Sequence, residues 1–155
     1  MGLYNRANKY LAKKPKQRKT IETMTKKELV KVLDKVFSEY IRLDEATDYG
    51  YVNCFTCGAG HRWKDIDCGH FIPRAREATR YDPMNCKPQC KRCNRFRSGE
   101  HDIFRHGLIE VHGKEAIEQM EQKARLGGSY DAYQLREMII EYREKVKRLR
   151  KEKCL

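Results

Sequence analysis

No run of about eighteen apolar residues occurs in the 155-residue chain, so no segment is suited to cross a bilayer as a helix. The sequence also lacks the apolar core of a signal peptide and any recognisable lipidation motif, which weighs against a membrane as partner. Acidic residues are in deficit: 22 Asp and Glu face 34 Lys and Arg, a formal net charge of +12 with a pI near 9.4. A surplus of that sign points to a polyanion. Nucleic acid comes first, because phosphate neutralisation by Lys and Arg supplies most non-specific affinity. Apolar residues are scarce too, at 39% against 36% charged, so the core is thin for the length. Small domains commonly offset that shortage with bound metal. There is no internal repeat. The seven cysteines have neither an even count nor a secretory context, which favours reduced thiols and metal over disulfides. The expectation is a soluble protein of the cytoplasm.

The first twenty residues carry seven Lys or Arg and no acid. They read as a basic flexible arm that clamps DNA or merely aids solubility. Residues 21–50 hold the next unit, a helix. Thr25 and Glu28 form a capping box. Leu29, Val32, Leu33, Val36, Phe37, Tyr40 and Ile41 then recur at helical spacing, ending near Leu43–Ala46 before the Asp48-Tyr49-Gly50 turn. Within 51–99, Tyr51-Val52 predicts a short strand and Trp63–Pro73 two short strands. Residues 74–84 read as irregular, and the second cysteine pair begins a short helix that Gly99 terminates. Residues 100–155 predict helices with apolar stripes at Ile103, Phe104, Leu108 and Val111, then Ala116, Ile117, Met120 and Ala124. The last stripe is Leu135, Met138, Ile139, Tyr142, Val146 and Leu149. That last helix is long, charged and one-sided, so it packs in the core or pairs with a second copy. The fold class is α+β and mostly helical.

Cys54 and Cys57, then Cys90 and Cys93, form two C-x-x-C pairs. Each such turn places two sulfurs on one side of an ion, and two turns complete the tetrahedron of thiolates that structural zinc prefers. His61 could replace a thiolate, but four cysteines leave it no vacancy. Cys68, Cys86 and Cys154 are then spare, a buried pair and a tail thiol. The loop between the pairs is longer than a plain zinc ribbon needs and has room for a site around His70. A histidine titrates near neutrality and can take a proton from an attacking water. Asn94 offers a neutral oxygen suited to Mg²⁺ or Mn²⁺. Arg74, Arg76, Arg80, Lys91, Arg92, Arg95 and Arg97 are candidates for phosphate contacts.

The order His70, Asn85, Asn94 around two knuckles resembles the HNH nucleases over residues 54–99, with Asn94 standing where many members carry histidine. A closer resemblance runs over residues 41–152, to the NinG (Rap) recombination nucleases of lambdoid phages. It is carried by Tyr40-Ile41-Arg42, Cys54-Phe55-Thr56-Cys57-Gly58, Asp67-x-Gly69-His70 and Arg80-Tyr81. Asn85 five before Cys90, Asn94 after Cys93, Ser98-Gly99, the Arg105 helix and Tyr142-Arg143 complete it. The resemblance implies a ββα-metal core buttressed by zinc and flanked by an N-terminal helix and C-terminal helices. It also implies His70 as general base, Asn85 as brace and Asn94 as ligand of a catalytic Mg²⁺ or Mn²⁺. Its implied activity is endonucleolytic cleavage of branched DNA, Holliday junctions and displacement loops, to a 5′-phosphate and 3′-hydroxyl. The implied setting is a bacterial host cell, with recombination proteins as partners; engaging two DNA arms at once is a task that a homodimer would meet by symmetry.

The sequence departs from that pattern at Gly69, where many HNH sites carry a metal-binding Asp or His. Asp67 lies two residues back on the same strand face, about 6–7 Å along an extended strand. It binds metal through a water, or holds His70 or an arginine. Glu100 and His101 are alternative ligands. A zinc-ribbon module that binds DNA or RNA without cutting it is the competing reading, since it needs zinc and positive charge but not His70, Asn85 and Asn94 together.

Overall fold

The computed structural model describes residues 19–155, so most of the basic arm lies outside the described residues. Helix α1 spans Lys26–Asp44, and its start is set by reciprocal capping. The Glu28 carboxylate accepts the Thr25 N–H at 2.8 Å while the Thr25 hydroxyl accepts the Glu28 N–H. Leu29, Leu33, Phe37 and Ile41 of α1 are buried. They pack on Leu135, Ile139 and Tyr142 of the last helix, α5 (Ala132–Glu152). Phe37 makes edge contacts with Tyr142 at 5.0 Å and Tyr81 at 5.6 Å.

The two helices run parallel. Arg136, near the start of α5, donates to the Ile21 carbonyl ahead of α1. At the other end Lys153 donates to the carbonyls of Leu43 at 2.8 Å, Asp44 at 3.0 Å and Ala46. An ammonium there adds a donor for the carbonyls at the end of α1 and just beyond it, and opposes the negative end of the helix dipole. The α5 stripe that the sequence offered to a second copy is thus covered by α1 of the same chain.

Between these helices the chain makes two small antiparallel sheets. Strand β1 (Tyr51–Asn53) pairs with β2 (Gly60–Arg62), Val52 opposite His61. Strand β3 (Asp67–His70) pairs with β4 (Cys86–Gln89), with Cys68 opposite Pro88 and His70 opposite Cys86. The expectation of two strands within Trp63–Pro73 needs correcting. Only Asp67–His70 is extended there, Trp63 is buried in a turn, and the partner strand comes from beyond residue 85. Pro88 lacks an N–H, which argues against a strand locally but is tolerated on an edge. The stretch 74–84 also holds a turn of helix, α2 (Glu77–Arg80), and Asp82 caps a 3₁₀ turn at Pro83–Asn85.

The second cysteine pair opens a π-helical turn at Arg92–Phe96, and Gly99, at φ +83°, follows it. Helices α3 (His101–His112) and α4 (Lys114–Leu126) then pack on Phe71 and Ile72 through Phe104, Leu108, Ile117, Met120 and Ala124. The α3 stripe is narrower than its periodicity predicts. Ile103 and Val111 remain exposed, because they flank the Phe104–Leu108 line that faces α4. The molecule is α+β and mostly helical, with two-stranded sheets. Among the described residues no helix is long and apolar enough to cross a membrane.

Candidate functional site

Two tight turns bring the knuckles together. After β1 the Gly58 N–H returns to the Cys54 carbonyl at 2.8 Å, with Gly58 at φ +72°. In the second knuckle the Asn94 N–H reaches the Cys90 carbonyl at 2.8 Å. The sulfurs of Cys54, Cys57, Cys90 and Cys93 all lie within 4.8 Å of one another, with Cys57 and Cys90 at 3.9 Å. Four thiolates at about 2.3 Å from a tetrahedral zinc stand about 3.8 Å apart, so donors and spacing suit that ion. Burial disfavours the Cys54 thiolate, but the Cys90 N–H at 3.3 Å and the Thr56 hydroxyl bring its pKa down to about 6. Thr56 also favours the Cys93 thiolate, yet burial and the thiols of Cys90 and Cys57 outweigh it and raise Cys93 to about 12. Four such thiols ionise together only around a cation. His61 stands outside this cluster, its Nε2 buried without a hydrogen-bond partner among the described residues.

Beside the knuckles lies a cleft of about 450 Å³ lined by Asp67, His70, Asn94, Arg74, Lys91 and Arg95. His70 ends β3, and its Nε2 lies 3.1 Å from the Arg80 carbonyl. A carbonyl only accepts, so Nε2 carries the proton and Nδ1 is left with a lone pair. The Arg74 Nε approaches that Nδ1 at 3.5 Å. Burial first, then the Arg74 charge, lowers the His70 pKa to about 4, against the opposing pull of the Arg80 and Cys68 carbonyls. The ring is neutral at physiological pH.

Asn85 is wholly buried and fully engaged. Its Oδ1 accepts the Ile72 N–H at 2.7 Å, and its Nδ2 donates at 3.0 Å to the carbonyls of Ile72 and Thr79. It therefore ties the segment leaving β3 to α2, whose Arg80 carbonyl holds His70.

Asp67 and Asn94, separated in sequence, touch: the Asn94 amide donates to Oδ2 at 3.0 Å. Arg95 forks onto the same carboxylate at 2.7 and 2.9 Å. Burial opposes the charge, but the Arg95 and Asn94 bonds hold the Asp67 carboxyl below its usual range. Of the roles open to Asp67, the one visible is holding an arginine. Glu100 pairs with Arg97 at 2.9 Å and His101 lies against the Phe71 ring at 4.5 Å, so neither joins Asp67 in the cleft. The departure at Gly69 has a packing cause. A Cβ there would stand 2.5 Å from Gln89 Oε1. Gln89 is buried and ties the sheet to both knuckles through the Thr56 hydroxyl at 3.2 Å and the Gly99 carbonyl at 2.7 Å.

The basic residues divide by surroundings. Arg74, Lys91 and Arg95 line the cleft, while Arg76 and Arg92 are exposed outside it. Arg80 is not available to phosphate: its guanidinium forks onto Asp34 of α1 at 2.9 and 2.6 Å and donates to the Arg74 carbonyl. Arg97 is taken by Glu100. Sequence reasoning missed Lys64, which also lines the cleft, and Arg42, which lines it while donating to the Trp63 and Ile66 carbonyls. Lys64 had one local signal, its place next to the lone tryptophan; Arg42 had none, since it meets the Trp63 ring only through tertiary packing.

No solved structure matches the chain. Two curated relatives are the "Protein ninG" of Escherichia phage 933W and that of Enterobacteria phage VT2-Sa. Each is 30% identical over 100 residues, covering 63% of this chain and 48% of the relative. The chain thus spans about half the length of the curated relatives it matches. The profile of the family described as "Bacteriophage Lambda NinG protein" matches residues 4–152. With nearly its whole length matched, the chain belongs to the NinG family of phage proteins.

Proposed function

We propose that the protein is a metal-dependent endonuclease with an HNH-type core, which hydrolyses DNA phosphodiesters in branched recombination intermediates. In this reading β3, β4 and the Arg92–Phe96 turn form the ββα-metal unit. The observation that carries it is His70: a neutral ring whose Nε2–H is held by a backbone carbonyl and whose Nδ1 stands in a basic cleft beside Asp67 and Asn94. The branched substrate, Holliday junctions or displacement loops, rests on the family resemblance. So do a bacterial cytoplasmic setting and recombination proteins as partners, while a second copy would engage a second DNA arm by symmetry.

The chemistry follows from the cleft. Nδ1 of His70 takes a proton from water. The resulting hydroxide attacks phosphorus, and the P–O3′ bond breaks, leaving a 5′-phosphate and a 3′-oxygen that is protonated from solvent. Arg74, on leaving Nδ1 for a phosphate oxygen, removes one of the charges that lower the ring's basicity. Asp67 and Asn94 would hold Mg²⁺ or Mn²⁺, which supplies charge stabilisation at the phosphoryl oxygens. Arg95 must then release Asp67, and its exposed guanidinium is long enough to turn to phosphate. Asn85 positions His70 through Thr79 and the adjoining Arg80 carbonyl.

The test is cleavage of a synthetic four-way junction in Mg²⁺ or Mn²⁺. Wild type is expected to nick it. His70→Ala is expected to bind it equally and cut at least about a hundredfold more slowly; equal rates would overturn the assignment. One observation favours a second reading, a zinc-ribbon nucleic-acid-binding module without catalysis. The Arg95 fork already neutralises Asp67, the carboxylate a catalytic cation requires. Tight binding of DNA or RNA by a metal-loaded wild type that cuts neither selects that reading.

A further inference from the structure

The sheet that carries His70 brings a second set of soft donors together. Cys68 and His70 are two apart on β3 and so share a face, and Cys86 stands directly opposite His70 on β4. One donor atom from each of Cys68, His70 and Cys86 lies within 4.8 Å of the other two, the same closeness found among the four knuckle cysteines. Tetrahedral zinc needs its ligands about 3.8 Å apart, so a small contraction suffices. Cys68 and Cys86 are buried, yet Cys68 and His70 both line the cleft, which gives an ion a way in and leaves a fourth position for water. Two thiolates would also balance the charge of a divalent ion among apolar neighbours.

We propose that Cys68, His70 and Cys86 form a second, thiophilic metal site for Zn²⁺ and ions of its class, separate from the knuckles, whose occupation takes His70 out of the cleft's chemistry. The inhibitory half rests on His70 acting as general base; the binding half does not. Oxygen-seeking Mg²⁺ and Mn²⁺ have no preference for this donor set, so one imidazole stands between two kinds of metal.

The test uses the full chain carrying Cys154→Ser, which removes the exposed tail thiol, kept reduced and loaded with one equivalent of Zn²⁺. Added Co²⁺ is expected to bind as a second equivalent and to give thiolate charge-transfer absorption. The Cys68→Ala/Cys86→Ala variant, whose small apolar replacements suit the core, is expected to keep the first equivalent and the far-ultraviolet dichroism while losing the second. His70→Ala should weaken the second equivalent at least about tenfold. A parent protein that saturates at one equivalent, or a double-alanine variant that still takes two, overturns the site. Where the parent cleaves DNA in Mg²⁺, excess Zn²⁺ should suppress cleavage at least about tenfold and spare the double-alanine variant; equal inhibition of both overturns the inhibitory role. A protein that binds the second ion but never cuts DNA removes the nuclease reading and leaves the site intact.

Discussion

Asn85 shows how much a single amide does here. Its three hydrogen bonds satisfy one donor and two carbonyls with no solvent at hand. Asn85→Ala should cost about 3 kcal/mol, because buried backbone groups then lack partners. Asn85→Asp should cost as much, since a carboxylate cannot donate to the Ile72 and Thr79 carbonyls. A shift below about 1 kcal/mol in urea unfolding would show that water replaces the amide. His70 gives a pH signature. Its pKa falls from an ordinary 6.5 to about 4 in the folded chain, so the unfolded state binds the proton first. Stability should therefore fall as pH drops from about 6.5 towards 4, by about 3 kcal/mol in all, and be fully present above that window. The difference between wild type and His70→Gln across pH 5–7 isolates this contribution. A pH response unchanged in the variant would assign the effect elsewhere. At this scale the sequence was legible where spacing itself carries the chemistry, as in the two C-x-x-C pairs. The Asp67–Asn94–Arg95 contact and the Asp34–Arg80 fork were not legible, because partners 28 and 46 residues apart meet only through tertiary packing.

The elements read well where one period dominates. Helix α1, with its capping box, and α5, with its buried stripe, follow directly from three- and four-residue spacing. Strands of three or four residues carry almost no periodic signal, so β2 and β4 were invisible, and Pro88 argued against β4. The width of the α3 stripe also depended on how much of the helix its neighbour covers. Between elements, the Lys153 clamp on the end of α1 is open to test. Lys153→Met keeps the aliphatic stem but leaves three carbonyls without their ammonium. The expected loss is about 1–2 kcal/mol, with faster amide exchange confined to the last turn of α1 and the end of α5. Uniform acceleration across the chain would mean that the clamp is not local.

Across the whole molecule, charge is organised around α1. One side of this helix borders the cleft through Ser38 and Arg42; the adjacent side borders a groove against α5 that holds Lys31, Lys35, Arg143 and Lys147. Two basic tracks flanking one ridge suit a ligand with more than one phosphate backbone. Lys31→Glu/Lys35→Glu, far from His70 in sequence, should weaken junction binding and lower the slope of log affinity against log salt by about one for each phosphate no longer neutralised. An unchanged slope would leave the groove without a nucleic-acid role. The sequence supplied the net charge but not this division, which requires knowing which helix α1 meets.

That pairing of α1 with α5 also governs when the protein can come into being. The apolar face of α1 leaves the ribosome ahead of the strands that share its core, and those strands emerge long before its main helical partner. Until Tyr142 is free of the tunnel, Leu33 and Phe37 lack the α5 neighbours that help cover them in the finished molecule. A nascent chain stalled just before α5 therefore exposes a greasy helix face, the kind of surface that chaperones hold. The nuclease proposed here would take shape only once α5 has closed on α1.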